Sequence, residues 1–198
     1  MYKLFKNPLT RFSTKKIHST TVLAVKKNNE VFMIADGQVS QGDVIIKTNA
    51  NKIREIKPNV VAGFAGSLAD ALTILDELEK YIDKYQNFSL LKPCIELAIK
   101  WRTEGAYKRL EASVLVSDHE NLIELDGQGN VLVHDKYRAI GSGGQFAECA
   151  TEALYDFEDY DSEKIAKRAM EIAASKCVFS NNNFNMKKIT APTKTNDN

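Results

Sequence analysis

The sequence has few of the features that mark disulfide-rich, zinc-binding or membrane-spanning proteins. Its 198 residues include 3 cysteines and no Cys-x-x-Cys pair, which argues against a disulfide scaffold and a zinc ribbon. No run of about 18 apolar residues occurs, so we expect no transmembrane helix and no membrane partner. The chain also lacks a Gly-x-x-x-x-Gly-Lys-Ser/Thr loop, so we expect no ATP binding by the chain itself. The composition, 43% hydrophobic and 27% charged, is typical of an intracellular globular domain.

Basic residues are concentrated at the N-terminus. Residues 1–19 contain five Lys or Arg and no Asp or Glu, whereas the rest of the chain has 22 basic and 26 acidic residues. A nucleic-acid partner needs a basic surface, so we expect none here. A basic, acid-free segment with Ser, Thr and aromatic residues is typical of a mitochondrial targeting segment. The alternative is a basic tail with no targeting role, and in both cases we expect 1–19 to lie outside the folded domain.

The spacing of apolar residues predicts strands and helices in blocks. Short β-branched runs predict strands at 20–26, 31–35, 44–46, 60–65, 112–117, 121–125, 131–134 and 136–140. Apolar residues spaced by three and four predict two helices within 70–110 and two within 147–175, the last one capped by Asp161. Residues 185–198 are polar, and we expect them to form a loose tail after a domain of residues 20–184.

This order of elements favours an α+β fold. Neighbouring strands joined by short turns pair antiparallel, and helices that come in pairs cover the faces of sheets. Two sheets packed face to face, with a helix layer on each outer side, use all the predicted elements in a four-layer αββα sandwich. A doubly wound parallel sheet is disfavoured because its strands and helices alternate singly.

Two further patterns carry weak signals. Residues 141–144 (GSGG) lie between a predicted strand and a predicted helix, where backbone N–H groups could bind a phosphate. Phe146 occupies the third glycine position of the dinucleotide-binding pattern, so a tight turn or a wall of a site is the favoured interpretation. The histidines have no acid or serine at a familiar spacing, and we expect all of them at the surface: His18, His119 and His134.

A threonine at the N-terminus of a chain combines a nucleophile and a base in one residue. Its hydroxyl attacks a carbonyl, and its free α-amine, with an ordinary pKa of about 7.7–8.0, accepts the proton. A nearby lysine ammonium lowers the pKa of that amine, and a buried aspartate would hold the lysine in place. Thr20 or Thr21, with Asp36 and Lys52, could form such a set. The alternative is that the threonines are ordinary strand residues and Lys52 is a solvated loop residue.

Five segments together match one family pattern. They are TTVLAV, IADGQVSQGDVIIKTNANKIREI, VVAGFAGSLADALTILDELE, WRTEGAYKRLEA and AIGSGGQFAECATEAL. They resemble the HslV (ClpQ) peptidases, bacterial relatives of proteasome β subunits, and the resemblance spans residues 20–184. The family fold is the four-layer αββα sandwich of N-terminal-nucleophile hydrolases, in agreement with the predicted order of elements. The resemblance implies a threonine endopeptidase that is the proteolytic core of an ATP-dependent protease.

The resemblance assigns the catalytic residues. In this family the mature chain begins at the first of two threonines and the aspartate lies sixteen positions on, as Asp36 does from Thr20. Lys52 matches the family lysine. Gly66 matches the glycine whose backbone N–H stabilises the oxyanion, and Ser142 matches the serine beside the α-amine.

Two further sets of residues follow from the resemblance alone. The walls of the pocket for the residue before the scissile bond match four apolar positions: Val39, Ala50, Phe64 and Leu68. Apolar walls favour an apolar substrate side chain. A sodium-like ion is held in this family by backbone carbonyls, at the positions of Ala174, Cys177 and Ser180. No organic cofactor is implied.

The chain departs from bacterial members of the family at three places. Bacterial chains begin almost at the threonine, whereas 19 residues precede Thr20 here. We therefore expect an organellar version that works in the mitochondrial matrix after segment 1–19 is removed. Ser67 replaces a glycine that is common in the oxyanion turn, and Ala174 replaces a glycine of the ion site.

The resemblance also implies an assembly. We expect two stacked rings of six subunits, a dodecamer, whose inner active sites receive polypeptide substrates from a separate HslU-like AAA+ unfoldase that uses the ATP. Two alternatives stay open: a stand-alone amidase with the same nucleophile, and an inactive structural ring subunit whose N-terminal segment is never removed. Retention of Thr20, Asp36 and Lys52 argues against the second alternative.

Overall fold

The computed structural model describes residues 20–103 and 110–191. The first part contains strands β1 (Thr21–Lys27), β2 (Glu30–Ala35), β3 (Val39–Gln41), β4 (Val44–Lys47), β5 (Ile53–Lys57) and β6 (Val60–Gly66), then helices α1 (Leu68–Lys84) and α2 (Leu91–Thr103). The second part contains β7 (Ala112–Ser117), β8 (Leu122–Leu125), β9 (Val131–His134), β10 (Tyr137–Gly141), α3 (Gly144–Tyr155), α4 (Ser162–Lys176) and β11 (Asn185–Thr190). No helix in these two parts combines the length and the apolar character needed to cross a membrane.

The strands form two main sheets. The first sheet has the order β10-β1-β2-β11 and the second has the order β5-β6-β7-β8-β9, while β3 and β4 form a separate hairpin. The predicted β1–β2 hairpin is confirmed, with Val22 opposite Ala35. Asn28 and Asn29 form its turn with φ of 55° and 59°, a conformation that asparagine tolerates better than most residues.

Side chains of the first sheet alternate between two apolar layers. On β1, Val22 and Ala24 pack toward the second sheet, whereas Leu23 and Val25 pack toward α3 and α4. This alternation follows from the two-residue period of a strand, which sends neighbouring side chains to opposite faces. The first sheet is therefore apolar on both faces and lies in the interior.

The second sheet is covered on its outer face by α1 and α2. Val114 of β7 packs in one cluster with Leu75 of α1 and Trp101 of α2, while Leu115 faces the first sheet. Helix α4 begins with Asp161, whose Oδ1 accepts a hydrogen bond from the N–H of Lys164 at 2.8 Å, as the sequence predicted. The layers run helix, sheet, sheet, helix, which confirms the predicted αββα sandwich.

The prediction of a loose tail after residue 184 is wrong for residues 185–190. Asn185–Thr190 forms β11, which pairs antiparallel with β2 at the edge of the first sheet. Ile189 is buried between the sheets, but most other side chains of this strand are exposed. An edge strand with one buried residue has too weak an apolar pattern to be predicted. The folded domain therefore extends at least to Thr190.

The sequence pattern also missed β3 and β5. Strand β5 buries Ile53 and Ile56, but its remaining residues are charged, and a register shift interrupts its pairing with β6. The predicted continuation of α2 toward residue 110 lies mostly on residues outside the described ones. The predicted segment 1–19 and the end of the predicted tail also lie outside them.

Candidate active site

Thr20 lies directly before β1, where residues of both sheets come together. Its carbonyl oxygen accepts a hydrogen bond from the N–H of Ser142 at 2.8 Å. Gly141, with φ of +89°, packs so closely on this carbonyl that a Cβ at its position would overlap the oxygen. The turn at residues 141–144 is therefore built around the backbone of Thr20, and this role explains its glycine better than phosphate binding does.

Asp36 is fully buried at the end of β2 and accepts four hydrogen bonds. Its Oδ1 accepts from the backbone N–H of Thr21 at 2.7 Å and from Nζ of Lys52 at 2.9 Å. Its Oδ2 accepts from the backbone N–H of Gln38 at 2.9 Å and of Asn181 at 3.3 Å. Because each oxygen has two donors, the carboxylate is fixed in place beside the start of β1.

Lys52 is buried with Asp36, so the alternative of a solvated loop lysine is wrong. The two side chains are 4% and 0% exposed, and Nζ of Lys52 also donates to the carbonyl of Gln38 at 2.5 Å. Burial lowers the pKa of Lys52 from its ordinary value of 10.5, and attraction by the Asp36 carboxylate only partly opposes this. The structure therefore brings together the predicted lysine and aspartate as a buried ion pair.

The two threonines have different surroundings. Oγ1 of Thr21 lies 2.6 Å from Oγ of Ser180 and accepts a hydrogen bond from the N–H of Gly143 at 3.0 Å. Thr21 is fully buried and its hydroxyl belongs to this internal network. Thr20, in contrast, lines a cavity. The geometry therefore favours Thr20 over Thr21 as the residue that meets a ligand.

This cavity beside Thr20 has a volume of about 510 Å³. Gly66 from the second sheet and Ser142 from the turn after β10 line it with Thr20, so both sheets contribute to its walls. Its other lining residues are Ala65, Glu111, Ala112, Ser113, Gly127, Gly141 and Phe179. This size is in the range of ligand-binding sites in proteins.

Gly66 contributes only its backbone to the cavity wall. It ends β6 with φ of +100°, and a Cβ at this position would overlap the carbonyl oxygen of Glu111. The next residue, Ser67, donates its N–H to the same carbonyl at 2.8 Å, and its side chain caps α1 by accepting from the N–H of Asp70 at 3.4 Å. The serine that replaces a family glycine here therefore begins the helix and leaves Gly66 in place.

The four predicted pocket-wall residues lie apart from this cavity. Phe64 packs in the cluster between the second sheet and the helices α1 and α2, and Leu68 is 57% exposed at the start of α1. Val39 begins β3, and Ala50 lies after β4, where its N–H donates to the carbonyl of Gly37 at 2.8 Å. None of the four lines the cavity of the single chain. Their role in substrate binding stays a prediction.

The three predicted ion-binding carbonyls come from the end of α4 and the turn after it. Ala174 lies in the last turn of the helix, and the carbonyl of Cys177 accepts from the N–H of Ser180 at 3.1 Å. The last carbonyls of a helix have no intrahelical donors and carry the negative end of the helix dipole, a setting of the Ala174 carbonyl that favours a cation. In the described parts of the chain, no group of three His, Cys, Asp or Glu side chains offers a metal site.

Sequence reasoning missed the polar residues that hold the site from the far end of the chain. Asn181 lies 145 positions from Asp36, yet its N–H contacts that carboxylate and its Nδ2 donates to the carbonyl of Thr48 at 2.9 Å. The hydroxyl of Ser180 contacts Thr21 across 159 positions. The available signal was the polar run SNNN at 180–183, directly after a largely apolar helix face. Only the fold shows which carboxylate and which hydroxyl these residues reach.

Comparison with known proteins assigns the family. The model of the proteasome subunit family matches residues 17–189. The chain belongs to this family. It is 45% identical over 174 residues to the ATP-dependent protease subunit HslV of Trypanosoma brucei brucei, covering 86% of this chain and 83% of that protein. It is 44% identical over 176 residues to the protein of the same name from Rickettsia typhi, covering 87% of this chain and 96% of that protein.

Comparison with solved structures supports the same family assignment. The crystal structure of eukaryotic HslV from Trypanosoma brucei matches with a TM-score of 0.83 and 44% identity, over 86% of this chain and 99% of that chain. The structure of Thiobacillus denitrificans BPH in complex with epoxomicin matches with a TM-score of 0.70 at 19% identity, over 87% of this chain and 100% of that chain, which shows the shared fold. The chain is therefore an HslV-type threonine peptidase with the N-terminal-nucleophile hydrolase fold.

Proposed function

We propose that this chain is the proteolytic core of an ATP-dependent protease and that Thr20 is its nucleophile once residues 1–19 are removed. One observation carries the assignment. The buried pair of Asp36 and Lys52 is hydrogen-bonded to the backbone at the start of β1, beside a cavity that Thr20 lines. A buried lysine with a lowered pKa, paired with a carboxylate that holds the backbone next to Thr20, is the arrangement that an amine base at Thr20 requires.

Cleavage before Thr20 would convert its backbone nitrogen into a free α-amine. In its neutral form, this amine accepts the hydroxyl proton, directly or through a water molecule, while Oγ attacks the carbonyl carbon of a peptide bond. The positive charge of Lys52 disfavours protonation of the amine, which lowers the amine pKa and increases its neutral fraction. Asp36 holds the ammonium group in position for this effect.

The attack produces a tetrahedral intermediate with a negatively charged oxygen, to which the backbone N–H of Gly66 donates. The α-amine then returns the proton to the leaving amine, the C–N bond breaks, and an ester on Thr20 remains. Water attacks this ester with the same amine as base, which releases the second product and restores the hydroxyl. Ser142 lies beside Thr20 in the cavity wall and hydrogen-bonds to the α-amine in this scheme.

The chain also needs a partner that delivers its substrates. Both sequence relatives are named as subunits of an ATP-dependent protease, which supports an ATPase partner and a ring assembly for this chain. Because the sequence has no phosphate-binding loop, the ATP is used by the partner, an HslU-like AAA+ unfoldase. Two stacked rings of six chains would enclose the active sites and admit only unfolded polypeptides. The apolar positions Val39, Ala50, Phe64 and Leu68 support a preference for an apolar residue before the scissile bond.

In this proposal, segment 1–19 directs the chain to its subcellular location. Its five basic residues and its lack of acids support import into the mitochondrial matrix. Its removal before Thr20 would then couple import to the formation of the active site.

The proposal also includes a sodium ion at the turn after α4. The backbone carbonyls of Ala174, Cys177 and Ser180 would hold it, and its charge would stiffen the turn. The hydroxyl of Ser180 contacts Thr21, and the N–H of the next residue contacts Asp36, so this turn supports the catalytic residues.

The test is peptide hydrolysis by the chain that starts at Thr20, with and without an HslU-like ATPase ring and ATP. We expect hydrolysis that rises when the ring and ATP are added, and loss of hydrolysis in Thr20→Ala but not in Thr20→Ser. Degradation of a folded substrate is expected only with both ring and ATP. Hydrolysis by a monomer, unchanged by the ring, would favour a stand-alone amidase, and the absence of any hydrolysis would favour a structural subunit.

A further inference from the structure

An ion pair with a buried carboxylate lies between the two sheets, next to the apolar cluster that fills this layer. Glu124 on β8 is 5% exposed, and Arg138 on β10 is partly buried. Leu122, two positions before Glu124, and Ile140, two positions after Arg138, both belong to the apolar cluster between the sheets. Because side chains two positions apart on a strand share a face, both charged residues point into this layer from opposite sheets.

The pair is the centre of a larger network. Nε of Arg138 donates to Oε2 of Glu124 at 2.6 Å, and Nη2 donates to Oε1 at 3.4 Å. Nη1 donates to Oε1 of Glu148 on α3 at 2.8 Å, and this oxygen also accepts from the N–H of Ala139 at 2.9 Å. Nε2 of His134 lies 3.2 Å from Oε2 of Glu124. The network therefore links β8 and β9 of the second sheet to β10 and α3.

The candidate active site is divided between the same two sheets. Thr20 precedes a strand of the first sheet and Ser142 follows another strand of it, whereas Gly66 ends a strand of the second sheet. The distance between the nucleophile and the backbone donor at Gly66 therefore depends on how the two sheets are held relative to each other.

A cavity beside the network and the active-site cavity share lining residues. A second cavity, of about 280 Å³, is lined by Glu124 and Arg138 and also by Ser113 and Gly141. Ser113 and Gly141 line the active-site cavity as well. A shift of β8 relative to β10 would therefore displace the turn that packs on Thr20.

We propose that Glu124 and Arg138 are positioning residues, which fix the two sheets beside Thr20 so that its hydroxyl and the backbone donor at Gly66 stay aligned. The proposal rests on the catalytic roles proposed above for Thr20 and Gly66. A two-point contact between guanidinium and carboxylate is directional, whereas apolar contacts are not. A displacement of about 1 Å at a catalytic centre costs about 100-fold in rate, so a directional link at this place has a large effect.

Stability alone does not account for this pair. The side chains of Glu124 and Arg138 are 7% and 32% exposed, so both charges lose hydration, and an apolar pair of similar size is often as stable or more stable. We therefore expect an apolar pair at this place to hold the sheets together as well as the charged pair does. The charged pair is needed to hold the sheets in one arrangement.

The experiment compares variants of the assembled chain that starts at Thr20. Arg138→Met breaks the pair, and Glu124→Leu with Arg138→Met replaces both charges by apolar groups. Arg138→Lys keeps the charge but loses the two-point contact. Arg54→Met is the matched control, because Arg54 forms an exposed pair with Asp76 at 3.0 Å, with side chains 42% and 59% exposed. For each variant, kcat, KM and the thermal midpoint are measured with a fluorogenic peptide.

We expect the double variant to match the wild-type thermal midpoint but to lose about tenfold or more in kcat, with KM changed less than about twofold. Arg138→Lys should fall between this variant and the wild type, and Arg54→Met should equal the wild type. If the double variant does not assemble, Arg138→Lys decides, through a loss of kcat at an unchanged thermal midpoint.

Wild-type kcat in the double variant, or in Arg138→Lys when the double variant does not assemble, would overturn the positioning role. Losses of kcat that only follow the thermal midpoint would overturn it as well. If Thr20→Ala hydrolyses the peptide as fast as the wild type, the proposed function itself fails and the positioning role fails with it. The Thr20→Ala control therefore distinguishes the two failures.

Discussion

Two ion pairs in the described parts of the chain, Lys52 with Asp36 and Arg138 with Glu124, differ in what sets the pKa of the cation. Burial is the largest influence on Lys52 and lowers its pKa, although Asp36 is 2.9 Å away. The hydrogen bond to Glu124 is the largest influence on Arg138 and raises its pKa. One cation therefore lies nearer to the pH range in which it loses its proton, while the other keeps its proton at every working pH.

This difference matches the two proposed roles. A lysine ammonium that tunes a neighbouring amine has to be close, desolvated and unscreened, because only then does its charge act strongly on the amine. A guanidinium that fixes a geometry needs a permanent charge and a two-point contact. Variants of Asp36 and Lys52 test whether the first pair serves chemistry, and the Glu124 and Arg138 variants test whether the second serves geometry.

The largest effect is expected for Asp36→Asn. The asparagine would leave Lys52 without its counter-charge and would point an N–H₂ group at backbone N–H donors. We expect loss of peptide hydrolysis and a free energy of unfolding reduced by about 3–5 kcal/mol, as for other broken buried pairs. Urea unfolding measures the change, with Asp76→Asn as the exposed control. A loss below about 1 kcal/mol would show that the buried pair is not coupled to the fold.

Next in size is Lys52→Ala. Without the ammonium, the amine pKa rises and the neutral base becomes scarcer, so we expect peptide hydrolysis to fall by more than about tenfold, roughly 1.4 kcal/mol of barrier. Ring assembly should survive, as measured by gel filtration, although Asp36 then loses one of its donors. The control is Lys57→Ala, which removes a lysine whose side chain is 26% exposed. Retention of more than a tenth of the wild-type rate would count against the amine-tuning role.

A smaller effect is expected for Thr21→Val. Valine would leave the N–H of Gly143 and the hydroxyl of Ser180 without the oxygen that each contacts. We expect a free energy of unfolding reduced by about 1–3 kcal/mol, with peptide hydrolysis kept above a tenth of the wild-type rate. Thermal unfolding and peptide cleavage measure the two quantities. Complete loss of hydrolysis in a well-folded Thr21→Val variant would transfer the catalytic role to Thr21.

The smallest effect is a pH dependence of stability that comes from Lys52. Its pKa in the folded chain is lowered from 10.5. Between this lowered pKa and 10.5, the unfolded chain still binds the proton that the folded chain has released. The contribution of Lys52 to the free energy of unfolding therefore rises with pH over this interval.

Urea unfolding of the wild type and of Lys52→Arg over a series of pH values measures this rise. In Lys52→Arg the rise should be absent, since a guanidinium keeps its proton. The same pH profile of the free energy of unfolding in both proteins would contradict the lowered pKa of Lys52.

The order of strands and helices could be predicted from the sequence because apolar residues recur at regular spacing along interior strands and along the buried faces of helices. Strand β7, with Val114 on one face and Leu115 on the other, is a clear case. Strand β11 could not be predicted, since its single buried side chain, Ile189, gives no apolar pattern and its backbone pairing with β2 is not visible in the sequence. Strand β5 could not be predicted either, since charged residues separate its two buried isoleucines.

The core of the site could be predicted from chemistry together with the family resemblance. Thr20, Asp36 and Lys52 come in the expected order at the ends of early strands, and the structure pairs the last two. The support from Asn181, 145 positions from Asp36, depends on packing that no local pattern encodes. The link of Glu124 to Arg138 was missed for the same reason, since each residue alone has the sequence context of an ordinary surface charge.

The most direct test of the central claim is to find the N-terminus and the reactive residue of the protein isolated from its own cells. The protein is treated with a peptide vinyl sulfone, an electrophile that a nucleophilic hydroxyl attacks, and intact mass and peptide mapping then locate the chain start and the adduct. We predict a chain that begins at Thr20 and one adduct on Thr20, absent after Thr20→Ala. A chain that begins at any other residue, or an adduct elsewhere on a chain that hydrolyses peptides, would contradict the assignment of Thr20 as the N-terminal nucleophile.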